Sequence, residues 1–171
     1  MLSYKKGDLT AHKKEFSVIT HCVNDVNRMG SGVALALMNR WPQVKNEYHK
    51  WGDSGFYLFG KTKIPFVLGQ IQLVPVGKNL QVCNLIGQRD IIPYEDIPPV
   101  RYQSVLEGMV RLRKWMVKNK YTTLALPRIC CGLAGGHWDI IEKILKKAFD
   151  NTDLSVIIYD NEPVEGTEYD S

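Results

Sequence analysis

Short β-branched runs alternate with amphipathic helical patterns along this chain. That alternation restricts the fold to a mixed or largely parallel sheet covered by helices on both faces. Strands are expected at 2–4, 16–23, 67–76, 80–86, 123–126 and 154–159. Between them, Tyr102, Val105, Leu106, Met109, Leu112 and Met116 repeat at helical spacing after Pro98-Pro99, as do Ile140, Ile141, Ile144, Leu145 and Ala148 after Trp138-Asp139. A shorter helix over 31–39, stopped by Pro42, and another running to Trp51 complete the pattern. At 171 residues and 44% hydrophobic, the chain can bury about 70% of its unfolded surface around one core.

Glycine-rich segments follow two of the strand-like runs. One is Asn24-Asp25-Val26-Asn27-Arg28-Met29-Gly30-Ser31-Gly32-Val33-Ala34; the other is Gly132-Leu133-Ala134-Gly135-Gly136-His137-Trp138. At a strand-to-helix junction, residues without a Cβ let a phosphate approach backbone N–H groups, and the helix start adds unpaired donors and the positive end of its dipole. Ligands of such sheets gather at the carboxyl ends of the strands, so both loops are expected to face one cleft. Two loops suit a ligand with two polar centres, such as a diphosphate flanked by riboses.

Charge and cysteines narrow the class. The net charge is +4, but residues 160–171 hold five acids and no Lys or Arg, so residues 1–159 carry +9. That body favours an anionic ligand. Cys22, Cys83, Cys130 and Cys131 lack the paired spacing of a zinc site and are expected as reduced thiols in a cytoplasmic protein. No apolar run approaches the length of a membrane span, and Lys5-Lys6 stand where a signal peptide needs apolar residues.

Several nucleotide and phosphate motifs are matched only in part or not at all. Gly30-Ser31-Gly32 begins like a dinucleotide fingerprint, but the third glycine position is Leu35, and no P-loop signature occurs. Cys22 and Arg28, with His21 before them, have the spacing of cysteine-nucleophile phosphatases, in which a thiolate attacks phosphorus while Arg holds the oxygens. Such a loop wraps its anion with small residues, whereas this one carries Val23 and Val26 and no glycine.

Taken together, Gly7-Asp8-Leu9, His21-Cys22 with Asn24, the segment 28–34, the segment 126–138 and Val156-Ile157-Ile158-Tyr159 resemble the macrodomains that bind ADP-ribose. The resemblance implies a three-layer α/β/α domain over residues 1–159, with a mixed, largely parallel six-stranded sheet; the acidic composition of 160–171 marks it as a mobile tail. The resemblance also implies that Asp8, with Leu9 beside it, accepts a hydrogen bond from adenine, and that Tyr159 stacks on the ring. Asn24 would hold the distal ribose, and Gly30, Ser31, Gly32 and Val33 would line the distal ribose and phosphate. Gly132, Leu133, Ala134, Gly135 and Gly136 would supply donors to the diphosphate, and Arg28 would meet a phosphate.

The segment at 28–30 is closest to the branch containing terminal ADP-ribose glycohydrolases. That branch uses a lysine after the fourth strand and, in one of its enzymes, a second-loop aspartate; Gln88 and Ala134 stand there in this chain. The leading activity is therefore removal of phosphate from ADP-ribose 1″-phosphate, with Asn24, Asp25 and His137 as catalytic candidates. A non-catalytic ADP-ribose reader and a hydrolase of ADP-ribosylated protein or DNA are the alternatives. The expected partner is ADP-ribose or its 1″-phosphate, free or on a macromolecule. No cofactor, metal or membrane is implied, and a monomer is expected.

Overall fold

A computed structural model describes residues 1–29 and 31–170. Its sheet has six strands: β1 (Leu2–Lys6), β2 (Ser17–Asn24), β5 (Ile71–Gly77), β6 (Leu80–Gln88), β7 (Thr123–Leu126) and β8 (Ser155–Asp160), in the order β1-β8-β7-β2-β6-β5. All neighbours are parallel except β5 and β6. The mixed, largely parallel sheet expected from the sequence is thus formed.

Successive residues of the central strands are buried on opposite faces. Val18, Cys83, Leu85 and Leu124 join one apolar cluster, while Ile19, Val82 and Ala125 join another. The first face is covered by α3 (Tyr102–Asn119) and α4 (Trp138–Phe149). From α3, Val105, Met109, Leu112 and Met116 face inward at helical spacing, and Gly108 lets the helix close on Leu85: a Cβ there would lie 2.6 Å from Leu85 Cγ. On the second face lie α1 (Gly32–Arg40) and α2 (Pro42–Ser54), with Pro42 at the first position of α2, where its missing N–H costs no bond.

The sequence pattern misses one element and overextends another. Strands β3 (Phe56–Phe59) and β4 (Thr62–Pro65) form a separate antiparallel hairpin, seated by Tyr57 against Trp51 with ring centroids 5.2 Å apart. Its four-residue strands and Lys61, Lys63 and Pro65 hide it from a periodicity argument. Residues 67–70, expected as strand, turn at Gly69 (φ +87°), whose N–H donates to Ile86 O at 2.8 Å.

At the C-terminal end, β8 runs through Asp160, one residue past the expected domain boundary. Residues 161–170 then fold back on the body. Asp170 N–H donates to Tyr4 O at 2.9 Å, and the Tyr169 hydroxyl donates to Asp160 Oδ2 at 2.8 Å. Arg128 forks onto Asp160 with two bonds of 2.9 Å and reaches Thr167 Oγ1 at 3.0 Å. Among the described residues, no helix is long and apolar enough to cross a membrane.

His21 of β2 is enclosed by the fold. Its Nε2 faces Asn84 Oδ1 at 2.5 Å, while Nδ1 has no partner among the described residues. Burial, opposed by the Asn84 bond, lowers its pKa from 6.5 to about 4. The unfolded chain therefore takes up this proton before the fold does. The contribution to stability is complete above pH 6.5 and declines as pH falls to about 4, by roughly 3 kcal/mol in all. His12, also lowered chiefly by burial, acts with the same sign. Thermal unfolding followed across this window should show stability falling with pH, and His21→Gln should flatten the slope. An unchanged slope in a folded His21→Gln protein would remove His21 as its source.

Candidate functional site

The carboxyl ends of β2, β6 and β7 open into a cleft of about 530 Å3. One wall comprises Asn24, Arg28, Met29 and 31–34; the other comprises 127–130 and 132–134, with Gln88 and Ile91 also lining the space. Both glycine segments thus face one cleft.

The first loop is built around the Asn24 side chain. Its Oδ1 accepts from Val26 N and Arg28 N, both at 3.1 Å, and from the Tyr48 hydroxyl of α2 at 2.9 Å. Its Nδ2 donates to Arg28 O. Asn27, in the left-handed region at φ 61°, is pinned to α2 through Asp53 and His49. Asp25 N–H donates to Gln88 O at 3.2 Å, and Asp25 Oδ1 accepts from Asp90 N at 2.8 Å. The backbone donors of residues 25, 26 and 28, which a thiolate phosphatase would turn toward its anion, are therefore bound within the protein, although Cys22 and Arg28 both line the cleft.

Ser31 precedes α1 without making a side-chain cap. The first-turn N–H groups of α1 are therefore left without a side-chain acceptor at the cleft wall. Gly32 adopts φ +58°, and a Cβ there would meet nothing within 4 Å. Gly30 lies outside the described residues.

Glycines of the second loop divide by what surrounds them. A Cβ on Gly136 would lie 2.4 Å from Cys130 O, and one on Gly135 (φ +74°) 2.7 Å from Pro98 Cβ. These two allow the loop to close, and neither lines the cleft. Gly132 does line it, and its Cβ would enter open space. Leu133 stands at the tip, 82% exposed, and Ala134 O accepts from Val100 N at 2.9 Å. Burial pushes the Cys131 thiol up to about 11 against the opposing Arg128 charge, and raises Cys130, which also contacts Cys22.

Of the three catalytic candidates, only Asn24 lines the cleft, and its amide is spent on the loop. Asp25 holds Asp90, while His137 heads α4, where its N–H donates to the Tyr102 hydroxyl at 2.9 Å. The three are not assembled as a catalytic group: the Asn24 and Asp25 side chains are drawn to nearby backbone groups, and His137 does not line the cleft.

The Asp8, Leu9 and Tyr159 group lies outside the cleft lining. Asp8 caps a short 3-10 turn (Leu9–Ala11); hydrogen bonds from the Thr10 hydroxyl and N–H hold its carboxyl below the usual range through Oδ1, leaving Oδ2 open. Leu9 is buried in the apolar cluster with Ile19 and Tyr159. Tyr159 is itself buried, with its hydroxyl 2.8 Å from His12 Nδ1 and its ring beneath Gly7. The stacking surface implied by resemblance is not presented.

Arg128 was missed among the sequence candidates. It lines the cleft, and its guanidinium is oriented by Asp160 and lies 5.2 Å from the centroids of Tyr4 and Trp138. Its position between a strand and a glycine loop was the available signal; the distant partner Asp160 was not.

No protein-family model matches the chain. A solved macrodomain protein from Streptomyces coelicolor is 31% identical, with a TM-score of 0.77, over 95% of this chain and all of that one (100%). The human ADP-ribose glycohydrolase OARD1 (Homo sapiens) is 26% identical over 92% of this chain and 90% of its own length. An ADP-ribose 1″-phosphate phosphatase from Meyerozyma guilliermondii is 26% identical over 85% of this chain and 93% of its own.

The two kinds of glycine should separate on substitution. Gly136→Ala must displace the Cys130 carbonyl and should lower stability by about 1–3 kcal/mol. Gly132→Ala meets no atom and should stay within about 0.5 kcal/mol of the parent. Urea unfolding of both proteins checks this; equal losses would show that Gly132 also serves loop closure.

Proposed function

This chain belongs to the macrodomain family, and from that premise we propose that its cleft binds ADP-ribose, with recognition as its primary function. The observation that carries the reading is the cleft wall. Arg28 and Arg128 stand beside two glycine loops, and among the described residues the lining includes no lysine and no carboxylate. A diphosphate between the loops would meet the uncapped N–H groups of α1 and the open backbone at Gly132. Arg128, already oriented by Asp160, would add charge without first being ordered. Adenine would lie toward Asp8, whose Oδ2 is open to an exocyclic amine.

Hydrolysis at C1″ needs a nucleophile or an activated water. By resemblance, Gln88 corresponds to the lysine of the related branch, and its Nε2 donates to Asp90 O at 2.9 Å. An amide is not nucleophilic, and Ala134 offers no carboxylate.

The second reading is phosphate removal from ADP-ribose 1″-phosphate, supported by exposed Arg28 beside Asn24, where a terminal phosphate would gain a countercharge. Water would attack phosphorus, the P–O bond to the ribose would break, and the products would be ADP-ribose and inorganic phosphate. Arg28 would stabilise the phosphoryl charge in that step.

Calorimetry should give micromolar ADP-ribose binding, about 8 kcal/mol, with AMP weaker. Asp8→Ala should weaken ADP-ribose by roughly 1–3 kcal/mol while leaving ribose 5-phosphate unchanged. No heat with ADP-ribose at millimolar concentration would sink the binding reading.

For the second reading, phosphate release should survive Cys22→Ser, because water is the attacking group. It should fall ~10²-fold in Asn24→Ala, which loosens the loop holding the substrate. Loss of turnover in a folded Cys22→Ser protein would favour a thiolate; no release by the parent would leave recognition alone.

A further inference from the structure

Beside the cleft, residues 89–100 form a stitched finger rather than a loose loop. Arg89 N donates to Pro99 O at 2.8 Å, and Tyr94 and Ile97 exchange backbone hydrogen bonds of 3.0 and 2.9 Å around Glu95 and Asp96. Its base is fixed to both walls: Asp90 N donates to Asp25, and Pro98 packs on Gly135. Yet Ile92, Tyr94 and Ile97 are 65%, 72% and 53% exposed, next to Leu133 and Ile91 at the cleft mouth. A braced segment that holds apolar side chains in water beside a binding cleft has the character of a contact surface.

Its charge selects the partner. Glu95 and Asp96 are exposed and have no ion-pair partner among the described residues. Nearby, Arg101 turns its guanidinium inward to the carbonyls of Pro98, Pro99 and Val100. Arg89 is exposed at the base of the finger, and Tyr94 could stack on a base, but a nucleic acid laid over the tip would bring its phosphates toward these carboxylates. A polypeptide with apolar and basic side chains complements both features.

We propose that the finger docks the polypeptide flanking an ADP-ribosylated side chain, with apolar residues on Ile92, Tyr94 and Ile97 and Lys or Arg against Glu95 and Asp96. This inference rests on the cleft binding ADP-ribose. The fixed base means that little loop ordering opposes docking.

The test compares free ADP-ribose, a Lys-flanked peptide carrying ADP-ribose through a non-hydrolysable linkage, and a single-stranded oligonucleotide carrying the same group. The peptide should bind about tenfold tighter than free ADP-ribose. Ile92→Ser with Tyr94→Ser should erase that gain without changing the affinity for free ADP-ribose, and Glu95→Lys with Asp96→Lys should reduce it. Equal affinity for peptide and free ADP-ribose, or tighter binding of the oligonucleotide, would overturn the proposal. So would sedimentation showing that the finger joins two copies of the chain. Failure of free ADP-ribose to bind would instead remove the underlying reading of the cleft.

Discussion

Strand β2 has protein on both faces, and the architecture follows from satisfying that enclosure. Its backbone pairs with β6 along its whole length and with β7 over Ser17–Ile19. Its polar side chains cannot turn to water, so they join a buried network. His21 meets Asn84, Asn84 meets Gln72 at 3.0 Å, and Gln72 reaches Glu47 O of α2 at 2.9 Å. Leaving any member unpaired costs more than its bond contributes, so the network fixes α2 over the sheet as well as filling space. The Tyr48 hydroxyl then extends this support to Asn24, where β2 ends and the cleft begins.

Much of the fold was legible because the dominant signals are periodic. The two long helices announce themselves through apolar spacing, and the central strands through short runs rich in β-branched and apolar residues. The hairpin at 56–65 was not legible, since its strands are short and its stability comes from Trp51 and Phe66. The end of β8 was misplaced because Asp160 looks like part of an acidic tail; its burial makes sense only once Arg128 is opposite it. A sequence gives no measure of that distance in space.

The site was legible at the level of loops and less so at the level of atoms. Asn24 and Gly132 line the cleft, but residue type alone could not show that the Asn24 amide would be consumed by Val26 and Arg28. Nor could it separate Gly132, which faces space, from Gly136, which faces a carbonyl. Asx side chains compete for nearby backbone groups wherever a loop allows it. The same chemistry that makes Asn24 and Asp25 plausible ligand contacts makes them loop organisers.

Arg128 belongs to two cavities: the cleft, and a hollow of about 760 Å3 beneath residues 166–170. Its guanidinium is shared between Asp160 of β8 and Thr167, so its orientation depends in part on the folded-back segment, which also bonds Asp160 through Tyr169. Linkage is reciprocal. Whatever affinity a ligand gains from finding Arg128 already aligned must return as an equal reluctance of the C-terminal segment to peel away while that ligand is bound. With ADP-ribose bound as proposed, hydrogen exchange at the far edge of the sheet would thereby be tied to occupancy of a cleft that the segment does not line.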